Sequence, residues 1–196
     1  MDLNSLMQSM LSSDSLKNIE SVTGTSESQV KKVLSSALPS LLDGAKAQAT
    51  NEKTAESFVG ALKDHAKVDT SDISSFFSGI DLTDGGKIVS HLLGSEKTAT
   101  TKKAASNAGI STKKTGNILS AAAPLLMSLL GQQTSSSSGN NSSDIGGLMG
   151  SLLSNVDIGS LLGGLLGGSS GSASESSNES GGGFLSGLMG LFGKKK

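Results

Sequence analysis

The chain has 196 residues, a formal net charge of −1, only five phenylalanines as its aromatic residues, and no cysteine. Every basic residue is a lysine; without arginine to read phosphate or guanine, and with few rings to stack on bases, the composition argues against nucleic-acid binding. The lack of cysteine excludes disulfides and thiolate metal sites and fits a reducing compartment.

The first predicted element is an amphipathic helix over 1–12, with Leu3, Leu6, Met7, Met10 and Leu11 at spacings of three and four. It has neither a basic start nor a continuous apolar run, so no secretory signal is expected. A short helix from Asp14 to Val22 follows, closed by Gly24 as a left-handed cap. Ser26-Glu27-Ser28-Gln29 then fits a capping box and opens the longest helix. Its face carries Val30, Val33, Leu34, Ala37, Leu38, Leu41, Leu42 and Ala45, and Pro39 should bend it near 35–39. Asn51 is expected to start a helix bearing Ala55, Phe58, Val59 and Leu62 and ending near Asp64-His65. Ser71 is expected to cap a short helix with Ile73, Phe76 and Phe77, ended by Gly79. Asp84-Gly85-Gly86 reads as a lead-in to a helix over Lys87–Leu93, closed by Gly94. Ser95 to Ala108 is the next helix, stopped by Gly109. The last begins at Ser111, turns Thr115, Ile118, Leu119, Ala122, Leu126, Leu129 and Leu130 inward, contains Pro124, and is expected to end at Gly131.

An offset of 85 residues pairs Gly24, Ser26, Ser35, Ala37, Pro39 and Leu41 with Gly109, Ser111, Ser120, Ala122, Pro124 and Leu126. The fold class is therefore all-α: a duplicated multi-helix bundle with two proline-kinked helices, followed by a flexible Gly/Ser/Leu-rich tail. The duplicated domain spans 1–133, with units of about 1–66 and 84–133.

Beyond it, 134–143 is a Ser/Asn linker, 144–168 holds short Gly/Leu repeats, 169–183 is a Gly/Ser linker, and 184–196 is apolar with a lysine end. The repeats follow one template, an acid then apolar residues at positions 2, 5, 6, 9 and 10. Asp144, Ile145, Leu148, Met149, Leu152 and Leu153 fit it, as do Asp157, Ile158, Leu161, Leu162, Leu165 and Leu166. Asp2, Leu3, Leu6, Met7, Met10 and Leu11 fit it too. Their glycines make the tail copies weak helices, formed only against a partner surface.

The stretch 1–133 resembles the bacterial domain-of-unknown-function family 937 and its YidB-like relatives. The resemblance lies in Gly24-Thr25-Ser26 with Ser35-Ser36-Ala37-Leu38-Pro39-Ser40-Leu41-Leu42, in Ala61-Leu62-Lys63-Asp64-His65, in 84–94, and in Ala122-Ala123-Pro124-Leu125-Leu126-Met127. It implies an all-helical fold and supplies no activity.

His65 and His91 are the only histidines. With Asp64 they offer two or three metal ligands where three or four are needed. The plainer expectation puts His65 at a helix C-terminus facing solvent and His91 packed in a short helix. Asp81, Asp84 and Gly85-Gly86-Lys87 lack the spacing of a calcium or phosphate loop. Gly167-Gly168-Ser169-Ser170-Gly171 matches a nucleophile-elbow pattern but sits in a linker rather than between strand and helix. No catalytic, cofactor or metal residue is expected. The candidate contact residues are Phe184, Leu185, Leu188, Met189, Leu191, Phe192, Lys194, Lys195 and Lys196, suited to a partner groove or an anionic membrane surface. The 145–168 segment is not expected to cross a membrane, because Asn155 and Asp157 stand at its middle. The expected protein is cytoplasmic and non-enzymatic, with an unknown protein partner or self-association; the alternatives are a membrane-peripheral protein held by its C-terminal segment and, last, a metal-dependent enzyme using Asp64, His65 and His91.

Overall fold

The structure, a computed structural model, describes residues 3–136. Of the linker expected over 134–143, residues 134–136 belong to the last helix; the rest of it, the repeats, the second linker and the C-terminal segment lie outside the described residues. Among the described residues eight helices follow one another: α1 (Leu3–Met10), α2 (Ser13–Thr23), α3 (Glu27–Thr50), α4 (Ala55–Ala66), α5 (Ile73–Ser78), α6 (Leu82–Leu93), α7 (Lys97–Ala108) and α8 (Thr112–Ser136). A turn of 3₁₀ helix, Gly94–Glu96, joins α6 to α7. No strand occurs among the described residues, so the fold is all-α.

The two long helices form the core. Of the eleven largest fully buried side chains among the described residues, eight belong to α3 and α8: Leu34, Leu38, Leu41, Leu42, Ile118, Leu119, Leu125 and Leu126. Each contributes about 1.5–3 kcal/mol by leaving water. That offsets the cost of an interior proline, about 3 kcal/mol. α3 accordingly runs through Pro39, and α8 through Pro124, without being split.

The 85-residue offset carries α3 onto α8 and α2 onto α7 with ends agreeing to within a residue. The punctuation between them repeats too. Gly24 and Gly109 both adopt the left-handed conformation, φ 62° and 66°. The Ser26 hydroxyl accepts from the Gln29 amide at 3.4 Å, and Ser111 from the Lys114 amide at 3.3 Å. Gln29 returns a bond from the Ser26 amide at 3.1 Å, completing the capping box. The packing is crossed: α3 lies against α7, and α8 against α2.

α1 seats on α2 and α8 through Leu6, Met7 and Met10, all buried. α5 packs on α2; its buried Phe77 meets Phe76 edge-on, centroids 5.5 Å apart.

Four expected boundaries move. Asn51 does not start α4; its amide donates to the Ala47 carbonyl and caps α3, while its side chain accepts from the Lys53 amide at 2.9 Å. Asp72, not Ser71, caps α5, because its carboxylate takes both the amide and the hydroxyl of Ser75. α6 begins at Leu82 rather than Lys87, capped by Asp81, so Asp84-Gly85-Gly86 is helical. Gly131 does not end α8, which continues to Ser136. Both misread glycines serve close packing. A Cβ at Gly131 would collide with the Leu62 carbonyl of α4, and one at Gly85 with the Ser120 carbonyl of α8. Pro124 cannot supply an amide to that Ser120 carbonyl, four residues before it. The backbone of α6 closes over the oxygen instead.

Candidate functional site

α4 and α6 both pack on α8, and a cleft of about 200 Å³ lies between them. Helical spacing builds its wall. Phe58, Ala61 and His65 recur at three and four along α4, and Ile88, His91 and Leu92 do so along α6. Met127 of α8 closes the floor, so the base of the cleft is Phe58, Ala61, Ile88, Leu92 and Met127. Gln48, Ser57, His65 and His91 form a polar rim. Gln48 donates to the His91 main-chain carbonyl at 3.0 Å, covering one of the orphan acceptors of the last turn of α6 and tying α3 to it.

Both histidines stand in the last turns of their helices. His65 stands at the end of α4 as expected, but half-buried against the cleft rather than facing solvent. His91, expected to be packed, is exposed at the mouth of the cleft. The buried face of α6 is Gly85, Val89, Leu92 and Leu93, and His91 stands off that face. The two imidazoles, 26 positions apart in sequence, thus share one cleft and present hydrogen-bond donors and acceptors above an apolar floor.

Asp64 does not join them. It pairs with Lys67 at 2.9 Å on the surface, and the hydrogen bond from that ammonium, helped by its charge, holds the Asp64 carboxyl below its ordinary value. Among the described residues no three His, Cys, Asp or Glu side chains gather closely enough to hold a metal ion. Asp81 likewise spends its carboxylate on the Thr83 amide at 2.7 Å, as an N-cap. The nucleophile-elbow match at 167–171 and the contact residues from Phe184 to Lys196 lie outside the described residues.

The cleft was not legible in the sequence, because spacing along α4 and α6 does not say which of their faces converge. Its one sequence signal is an imidazole in the final turn of each helix. Among the described residues no helix is long and apolar enough to cross a membrane. Neither the curated proteins nor the solved structures give a match to the chain. A family model does match, over residues 5–133, two thirds of the length and the whole of the helical body from the middle of α1 to near the end of α8. The chain belongs to that family, described as a bacterial protein of unknown function, DUF937.

Proposed function

We propose that this chain is a non-enzymatic structural or protein-interaction module whose C-terminal region docks on a helical body, its own or a partner's. One observation carries the reading. The apolar stripe that seats α1 on the core, Leu6, Met7 and Met10, recurs in the sequence at 144–153 and 157–166. A helix laying an apolar stripe into a groove is a general mode of recognition, and the chain carries that stripe more than once. The cleft between α4 and α6, apolar below and polar at its rim, adds a second surface of the same character.

Phe184, Leu185, Leu188, Met189, Leu191 and Phe192, followed by Lys194-Lys195-Lys196, favour a second reading, in which the tail holds the protein at an anionic membrane surface. A cytoplasmic location accords with both readings. Titrating a peptide of residues 137–196 onto a chain ended at Ser136 tests the first. Co-sedimentation of the full and shortened chains with vesicles containing phosphatidylserine tests the second. Saturable binding of the peptide is the expected result. An inert peptide, together with equal partitioning of both chains, overturns the docking tail in either form.

A further inference from the structure

We infer that the groove on α2 and α8 that holds α1 is also the site for Asp157–Leu166 of the same chain, which takes the place of α1 there. This rests on the docking reading above and gives it an address.

α1 is lightly held. It has eight residues, too few for a helix that persists without a partner surface. Leu6, Met7 and Met10 are its buried anchors, and the Ser15 hydroxyl of α2 donates to the Ser9 main-chain carbonyl at 2.8 Å. The segment 157–166 reproduces each of these. Leu161, Leu162 and Leu165 fall on the template positions of Leu6, Met7 and Met10, and exchanging methionine for leucine nearly conserves volume. Gly164 falls on Ser9, and because the acceptor there is a main-chain oxygen, glycine supplies it equally well.

The differences set the order of preference. Gly163 replaces the exposed Gln8 and Gly164 the half-buried Ser9, so the three buried anchors remain, while these glycines together with Gly159 lower helix propensity. α1 therefore holds the groove for the larger share of the time, and the tail segment holds it for the rest.

The chain before this copy is long enough to bring it to α1 wherever α1 lies along α8, which the chain before its neighbour is not. Twenty residues separate Ser136 from Asp157, about 70 Å when extended, against about 37 Å for the 25 residues of α8. Any point along α8 is within reach. Asp144 follows Ser136 after seven residues, about 27 Å, which falls short of the far end.

Hydrogen exchange on the full chain reads the competition directly, by comparing amides 7–11, the ones α1 bonds, in three proteins: wild type, Leu161→Asp with Leu162→Asp, and Leu148→Asp with Met149→Asp. All four substitutions lie outside the helical body, so its circular dichroism serves as the folding control. Removing the competitor is expected to slow exchange in α1 at least threefold in the 161/162 variant, with no change in the 148/149 variant and no dependence on protein concentration. Unchanged exchange while the 137–196 peptide still binds the shortened chain overturns the inference and leaves docking elsewhere. Equal slowing in both variants overturns the choice of copy. A concentration-dependent effect overturns the assignment to the same chain in favour of a second molecule. A peptide that does not bind at all overturns the docking reading itself.

Discussion

Gly85→Ala puts the contact between α6 and α8 to a sharp test. In an exposed helix interior the change gains about 1 kcal/mol, because alanine is the better helix former. At Gly85 the new Cβ would overlap the Ser120 carbonyl oxygen, lie 2.7 Å from its carbon and 3.1 Å from its Cα. All three atoms are backbone, so no side chain can turn aside. Forcing them apart is overpacking, which costs about 1–3 kcal/mol, and a backbone obstacle belongs at the upper end. It also loosens Val89, Leu92 and Leu93, which α6 buries. The two effects leave a net loss of about 2 kcal/mol, or roughly 8 °C in Tm for a domain of this size. Gly60→Ala in α4 is the matched control. A Cβ there meets nothing within 4 Å, so the full gain in propensity is expected, about 1 kcal/mol in the opposite direction. Urea unfolding followed by circular dichroism measures both. If Gly85→Ala is as stable as Gly60→Ala, the close approach over the Ser120 carbonyl is wrong.

Three further outcomes follow from the same packing. The Ser128 hydroxyl is buried with no hydrogen-bond partner, so Ser128→Ala removes an uncompensated polar group and is expected to stabilise by about 1 kcal/mol in urea unfolding. Ser26→Ala breaks the capping box at the start of α3 and is expected to cost about 1 kcal/mol in the same assay, with Ser111→Ala costing a similar amount at α8. Hydrogen bonds from the Ser75 hydroxyl to Asp72, and from the Thr83 amide to Asp81, lower both cap carboxyls below the ordinary 3.8. Their stabilisation is thus complete above that value and lost as pH falls through the lowered ones. The stability gap between wild type and Asp72→Ala with Asp81→Ala should therefore close below about pH 4, and a gap that stays constant in acid contradicts the cap assignment.

The sequence was most readable where local chemistry decides. Ser26 with Gln29, and Gly24 with Gly109, are caps whose partners lie within a few residues, so their pattern alone located the ends of α2, α3 and α7 and exposed the 85-residue offset. Reading failed where glycine answers to a neighbour across space. Gly85 and Gly131 look like breaks in the chain, yet each marks where one backbone approaches another. Asn51 and Ser71 failed for a different reason. Ser71 lies beside a better-placed cap, Asp72, whose carboxylate takes the Ser75 amide, whereas Asn51 closes α3 and gives its side chain to the Lys53 amide, three residues before the N-cap position of α4. The cleft with His65 and His91 depends on how α4 and α6 meet on α8, which no spacing along a single helix encodes.

The central claim is that a helical body with α1 seated in its core meets its own C-terminal region. Methyl NMR spectra of the full chain and of the chain ended at Ser136 test it most directly. Shifts confined to Leu6, Met7, Met10 and the α2 and α8 methyl groups beside them are the predicted result. Superimposable body spectra from the two chains would contradict it.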